Sequence, residues 1–75
     1  MESYNRKSLI TGKYYNLFDS VRILNLRQVA AYLDYGVLPL HIYTSKDENG
    51  KPVLVFLFDR EKSKDAYDLW CKHEL

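Results

Sequence analysis

Val53-Leu54-Val55-Phe56-Leu57-Phe58 is the stretch that decides the fold. Six apolar residues in a row, β-branched and aromatic in character, have the length of a strand and are too few for a helix. Both faces of such a strand are apolar, so it needs cover above and below and belongs at the centre of a sheet. On its N-terminal side lies the polar segment Lys46-Asp47-Glu48-Asn49-Gly50-Lys51, in which Asn49-Gly50 tolerates the positive φ of a tight hairpin turn. Before the turn the period is two. Leu38, Leu40 and Ile42 face one way and Pro39, His41 and Tyr43 the other, with Pro39 placing the start of that strand at a sheet edge.

Further upstream, Val21-Arg22-Ile23-Leu24 reads as a short strand, and Asn25 is a helix N-cap with Gln28 positioned to complete a capping box. Leu26, Val29, Ala30 and Leu33 then fall on one helical face, and Gly36 is the expected left-handed stop. Downstream, Asp59 caps a helix predicted over Arg60 to Lys72 with Ala66, Leu69, Trp70 and His73 on its buried stripe. The order is strand, helix, hairpin, helix (β-α-β-β-α), which defines an α+β class with a small antiparallel or mixed sheet. A right-handed crossover makes the first two strands parallel, and the apolar third strand fits between them, in the order 1-3-2. Both helices then cover one sheet face. The other face, bearing Leu54, Phe56 and Phe58 or else Val53, Val55 and Leu57, is left for the N-terminal aromatic segment or a second subunit.

Residues 1–12 read as a flexible N-terminal arm and residues 13–75 as a single domain. Tyr14-Tyr15-Asn16-Leu17-Phe18 is apolar enough to pack, but its period does not decide between strand and helix.

A chain of 75 residues has room for one marginal core. Cys71 is the only cysteine, so neither an intramolecular disulfide nor a cysteine-rich zinc site can staple that core, and self-association as a homodimer is expected. The N-terminus lacks the apolar core of a signal peptide and no apolar run is long enough for a bilayer, so the reading is a cytoplasmic protein with no membrane partner. Eleven basic and ten acidic residues leave a formal charge of +1, too little to steer the chain onto nucleic acid.

The chemistry-bearing residues form no catalytic set. Cys71 and His73, two apart on a helix, lie on opposite sides and cannot hold one ion. Glu61, Asp65 and Asp68 alternate with Lys62, Lys64 and Lys72 as a solvated face, and the three glycines are isolated rather than gathered in a phosphate loop. No catalytic, cofactor or metal site is expected, and the chain is read as not an enzyme.

Seven tyrosines, three phenylalanines and one tryptophan exceed what so small a core encloses. Tyrosine is enriched at protein interfaces, which makes Tyr4, Tyr14, Tyr15, Tyr32, Tyr35 and Tyr43 candidates, with Tyr32, Tyr35, His41 and Tyr43 the expected partner-binding group. Leu54, Phe56 and Phe58 are assigned to the core or to a dimer seam. His41 and Tyr43, near Arg22, Lys46 and Lys51, also form a small platform for single-stranded nucleic acid, which is the alternative reading.

A short strand, a helix Leu26-Arg27-Gln28-Val29-Ala30-Ala31-Tyr32-Leu33 closing on Tyr35-Gly36, a hairpin ending Val55-Phe56-Leu57-Phe58-Asp59 and a terminal amphipathic helix follow one another in residues 21–75. In this order of features the chain resembles a family of short uncharacterised proteins of bacteriophages and mobile elements of Gram-positive bacteria. The resemblance implies no activity. It implies a setting in which small proteins act by binding a host factor, including the inhibition of antiviral defence.

Overall fold

The computed structural model describes residues 5–75. A short hairpin, β1 (Asn5–Lys7) with β2 (Tyr14–Asn16), leads through a 3-10 turn at Leu17–Asp19 into β3 (Ser20–Ile23). Then come α1 (Leu26–Tyr35), the hairpin of β4 (His41–Lys46) and β5 (Pro52–Asp59), and α2 (Lys64–Cys71). The main sheet has the order β3-β5-β4, with β5 antiparallel to both neighbours. This is the α+β class and first-third-second order read from the apolar run. β5 is central because it alone is apolar on both sides, and Val55, Leu57 and Phe58 are all buried.

The register divides those residues between two faces. Phe56 lies opposite Ile23 and Ile42, and Phe58 opposite Val21. Both helices cover that face, where Phe58 clusters with Val29, Tyr32 and Ala66 and is flanked by Phe56, Trp70 and Leu75. Phe56 and Phe58 are therefore core residues, whereas Leu54 at the far end of the strand is exposed. The second face carries Val55 and Leu57, opposite Tyr43 and His41. The N-terminal segment supplies its cover: Tyr15 stacks on His41 at 4.9 Å between ring centroids.

Within the segment expected as a flexible arm over residues 1–12, the chain from Asn5 onward is paired and bonded. Arg6 and Lys7 pair with Tyr15 and Tyr14, Ser8 is buried, and the Thr11 hydroxyl donates to the Leu40 carbonyl at 2.6 Å. Backbone pairing and side-chain anchors order a segment whose sequence has no apolar alternation. Tyr4, one of the tyrosines assigned to an interface, lies outside the described residues.

Helix α1 starts where expected, with Asn25 Oδ1 accepting from the backbone N–H groups of Arg27 and Gln28, and stops at Gly36 with φ +105°. Its buried face is rotated from the expected stripe. Val29 is buried as predicted, but Leu26 is 63% exposed and Ala30 and Leu33 also face outward, while Tyr32 is 1% exposed. The ring of Tyr32 packs into the cluster of Val29, Phe58 and Ala66 between the helices and the sheet. Tyr32 meets Phe58 edge-on at 5.1 Å, and its hydroxyl accepts a bond from Gln28 Nε2 at 3.0 Å, so the polar tip does not oppose burial. Gln28 spends its side chain there rather than on a capping box.

Two turns also differ. In the β4–β5 loop only Gly50 has positive φ, and Asp47 organises the turn by accepting from the N–H groups of Asn49 and Lys51. After β5, Asp59 Oδ1 accepts from the N–H groups of Glu61 and Lys62, and its carbonyl from the N–H and hydroxyl of Ser63. These local bonds form a non-helical turn, so α2 begins at Lys64 instead of Arg60. The helix ends at Cys71, and His73, with φ +60°, is exposed rather than on the buried stripe.

Candidate functional site

The four residues expected at a partner surface do not form one patch. Tyr32 is in the core, and burial raises its phenol above the ordinary value against the opposing hydrogen bond from Gln28. It presents no surface to a partner. Tyr35 is half exposed on the helical layer, near Arg27, Asp34 and the C-terminal Glu74 and Leu75. His41 and Tyr43 lie on the opposite sheet face, half-buried and in ring contact with each other at 5.9 Å.

His41 links the hairpin to the sheet. Its Nδ1 is 2.7 Å from Ser8 Oγ, and its ring is nearly parallel to both Tyr15 and Tyr43. Rings in contact with one another offer less face to an incoming base than the free platform expected for nucleic acid.

A more exposed apolar surface lies on the N-terminal hairpin and the turn after it. Leu9 is 96% exposed, Ile10 65% and Phe18 70%, and Tyr14 and Leu17 are more than half exposed. Local chemistry explains the tip. Ser8 Oγ accepts from the N–H groups of Ile10 and Thr11, and Gly12 returns its N–H to the Ser8 carbonyl with φ +75°, which turns Leu9 and Ile10 outward. Arg6, Lys7 and Lys13 are interleaved with these apolar residues, and no acidic residue occurs between Asn5 and Phe18. Lys7 Nζ lies 5.8 Å from the centre of the Tyr14 ring. Reading residues 1–12 as a mobile arm hid this surface. The signal that marks it is the acid-free run around an isolated Leu9-Ile10 pair.

Among the described residues, no group of three or more His, Cys, Asp or Glu side chains is placed to hold a metal ion. Cys71 is exposed, and among the described residues no buried side-chain nitrogen or oxygen lacks a hydrogen-bond partner. No helix among them is long and apolar enough to cross a membrane. Comparison with protein families, curated proteins and solved structures returns no match.

Proposed function

We propose that this protein is a noncatalytic protein-binding module whose contact surface is the N-terminal hairpin with the 3-10 turn after it. The observation that carries the reading is the exposed apolar tip, Leu9 and Ile10, set among Arg6, Lys7 and Lys13. Burying one such side chain against a partner is worth about 1.5–3 kcal/mol. The basic flanks add charge selectivity and favour a partner with an acidic rim. The resemblance of residues 21–75 to small phage and mobile-element proteins supports a host protein as that partner, with inhibition or modulation of a defence factor as the consequence. Homodimerisation belongs to the same reading, supported by the outer edge of β4, which over six residues pairs with no strand among the described residues.

Capture from a bacterial lysate tests it with two baits, the wild type and the double variant Leu9→Asp/Ile10→Asp. Both positions are exposed, so the variant keeps the thermal stability of the wild type. A discrete protein is expected on the wild type and lost from the variant. Retention of anionic vesicles or nucleic acid in place of protein overturns the reading.

A further inference from the structure

The outer edge of β3 has a built character of its own, and it meets the contact surface just described only at the 3-10 turn. Among the described residues, β3 pairs only with β5. The N–H of Arg60 reaches the Asp19 carbonyl at 2.8 Å, one step beyond the Ser20–Asp59 pair. In an antiparallel ladder this places the hydrogen-bonded pairs at Val21–Phe58 and Ile23–Phe56. Arg22, opposite Leu57, therefore turns its N–H and C=O to the open side. Ser20 also faces that side, but its N–H is taken by the Leu17 carbonyl and its C=O by Arg60 Nη2 at 3.1 Å.

A cleft lies along this edge on each face of the sheet. The cleft on the helical face, 640 Å³, is walled by Val21, Ile23 and Tyr67, with Lys64 at its side. The one on the other face, 460 Å³, has Leu17, Tyr43 and Leu57 in its wall. Val21, Arg22 and Arg60 line both, which means that the two clefts meet at the edge itself. A strand added there would send alternate side chains into the two clefts, as extended peptides do when they extend a sheet. Among the side chains that line the clefts the charge is one-sided, with Arg22, Arg60 and Lys64 against Glu61, in a chain whose formal charge is +1. The Arg60 guanidinium is held at the end of the edge by the neutral carbonyls of Phe18 and Ser20, which position its charge without cancelling it.

We propose that the open edge of β3 is a docking site for an extended acidic segment of a partner protein. The segment pairs its backbone with Arg22 and sets alternate side chains in the two clefts, with carboxylates against Arg60 and Lys64. This rests on the binding-module reading and names a second point of contact. A second copy of the chain is the poorer occupant, because pairing β3 with itself would bring the three cations against their own images.

The test is a titration of the 15N-labelled protein with a nonapeptide of alternating valine and glutamate. Amide shifts are expected at Arg22, Leu24, Lys64 and Tyr67. Lys64→Glu, at an exposed position in the first turn of α2 where a carboxylate suits the helix, should weaken binding at least about tenfold. Methylating alternate peptide nitrogens on the side facing β3 should abolish binding, since the charge is kept and the ladder is lost. Equal binding of the methylated peptide, of a valine–lysine peptide or of a short oligothymidine at the same amides overturns the proposal, as does an absence of shifts. If the peptide fails while a lysate protein is still lost on Leu9→Asp/Ile10→Asp, the docking site falls and the binding module stands. Peptide binding with no protein captured by either bait has the opposite meaning.

Discussion

Tyr32 joins an amphipathic side chain to a site that needs volume, and the result is visible in its titration. Its phenol is raised from the ordinary 10.0 by burial first, with the Gln28 bond acting the other way. Below pH 10 the phenol is protonated in the folded and unfolded chain alike, and no stability depends on it. Above that pH the unfolded chain releases its proton first, the native state binds more protons, and stability falls as pH rises. Tyr67, half exposed, is raised as well, chiefly by its neighbour Cys71. The urea midpoint should therefore drop above pH 10, and Tyr32→Phe should make the drop shallower while changing stability at pH 7 by only about 1 kcal/mol, the worth of one hydrogen bond. An alkaline limb unchanged in Tyr32→Phe would falsify this account of the burial. The residue was misplaced on sequence grounds because period-based reading sorts by hydrophobicity. Leu26 and Leu33 outrank a tyrosine on that scale, yet ring volume and a local donor at Gln28 decided which face turned inward.

At the scale of elements, legibility followed the same division between patterned and unpatterned segments. The apolar run of β5, the alternation before it and the Asn25 cap each carry their signal in residue types, so the strand order came out of them directly. β1 carries none: Asn5-Arg6-Lys7 has no apolar side and becomes a strand only because Tyr14 and Tyr15 pair with it. What fastens that hairpin to the sheet is a proton count. A serine hydroxyl has one proton to donate and two lone pairs. Ser8 Oγ uses its lone pairs on the N–H groups of Ile10 and Thr11, at 3.1 and 3.0 Å, so its proton points at His41 Nδ1 at 2.7 Å. The neutral His41 ring therefore accepts at Nδ1 and carries its own proton on Nε2, which ring 15N shifts can read. Ser8→Ala removes the donor and the one oxygen that accepts both turn bonds. It should cost about 1–3 kcal/mol, felt first as faster hydrogen exchange in β1 and β2 while the amides of α1 stay protected. Exchange that rises uniformly across the chain would mean the hairpin is not a separable unit.

For the molecule as a whole, the apolar second face of the sheet does not call for a second subunit, since the N-terminal hairpin covers it. The proposed homodimer must then rest on a different feature, the free edge of β4. Asp47 N–H meets the Lys51 carbonyl one step beyond the Lys46–Pro52 pair, so the odd-numbered residues His41, Tyr43 and Ser45 bond to β5. Ile42, Thr44 and Lys46 turn their peptide groups outward. Two copies meeting antiparallel about Thr44 would pair Ile42 with Lys46 of the other copy, extend the sheet to six strands and keep the two Lys46 ammonium groups apart. Unlike the β3 edge, this one carries a single cation, and that makes it the better self-contact. Thr44→Pro removes only an outward N–H, a substitution an edge strand tolerates where a central strand does not. Sedimentation should show a dimer for the wild type and a folded monomer for Thr44→Pro, with Lys64→Glu still dimeric. A wild type that stays monomeric at high concentration removes the dimer, and a Thr44→Pro dimer moves the contact away from β4.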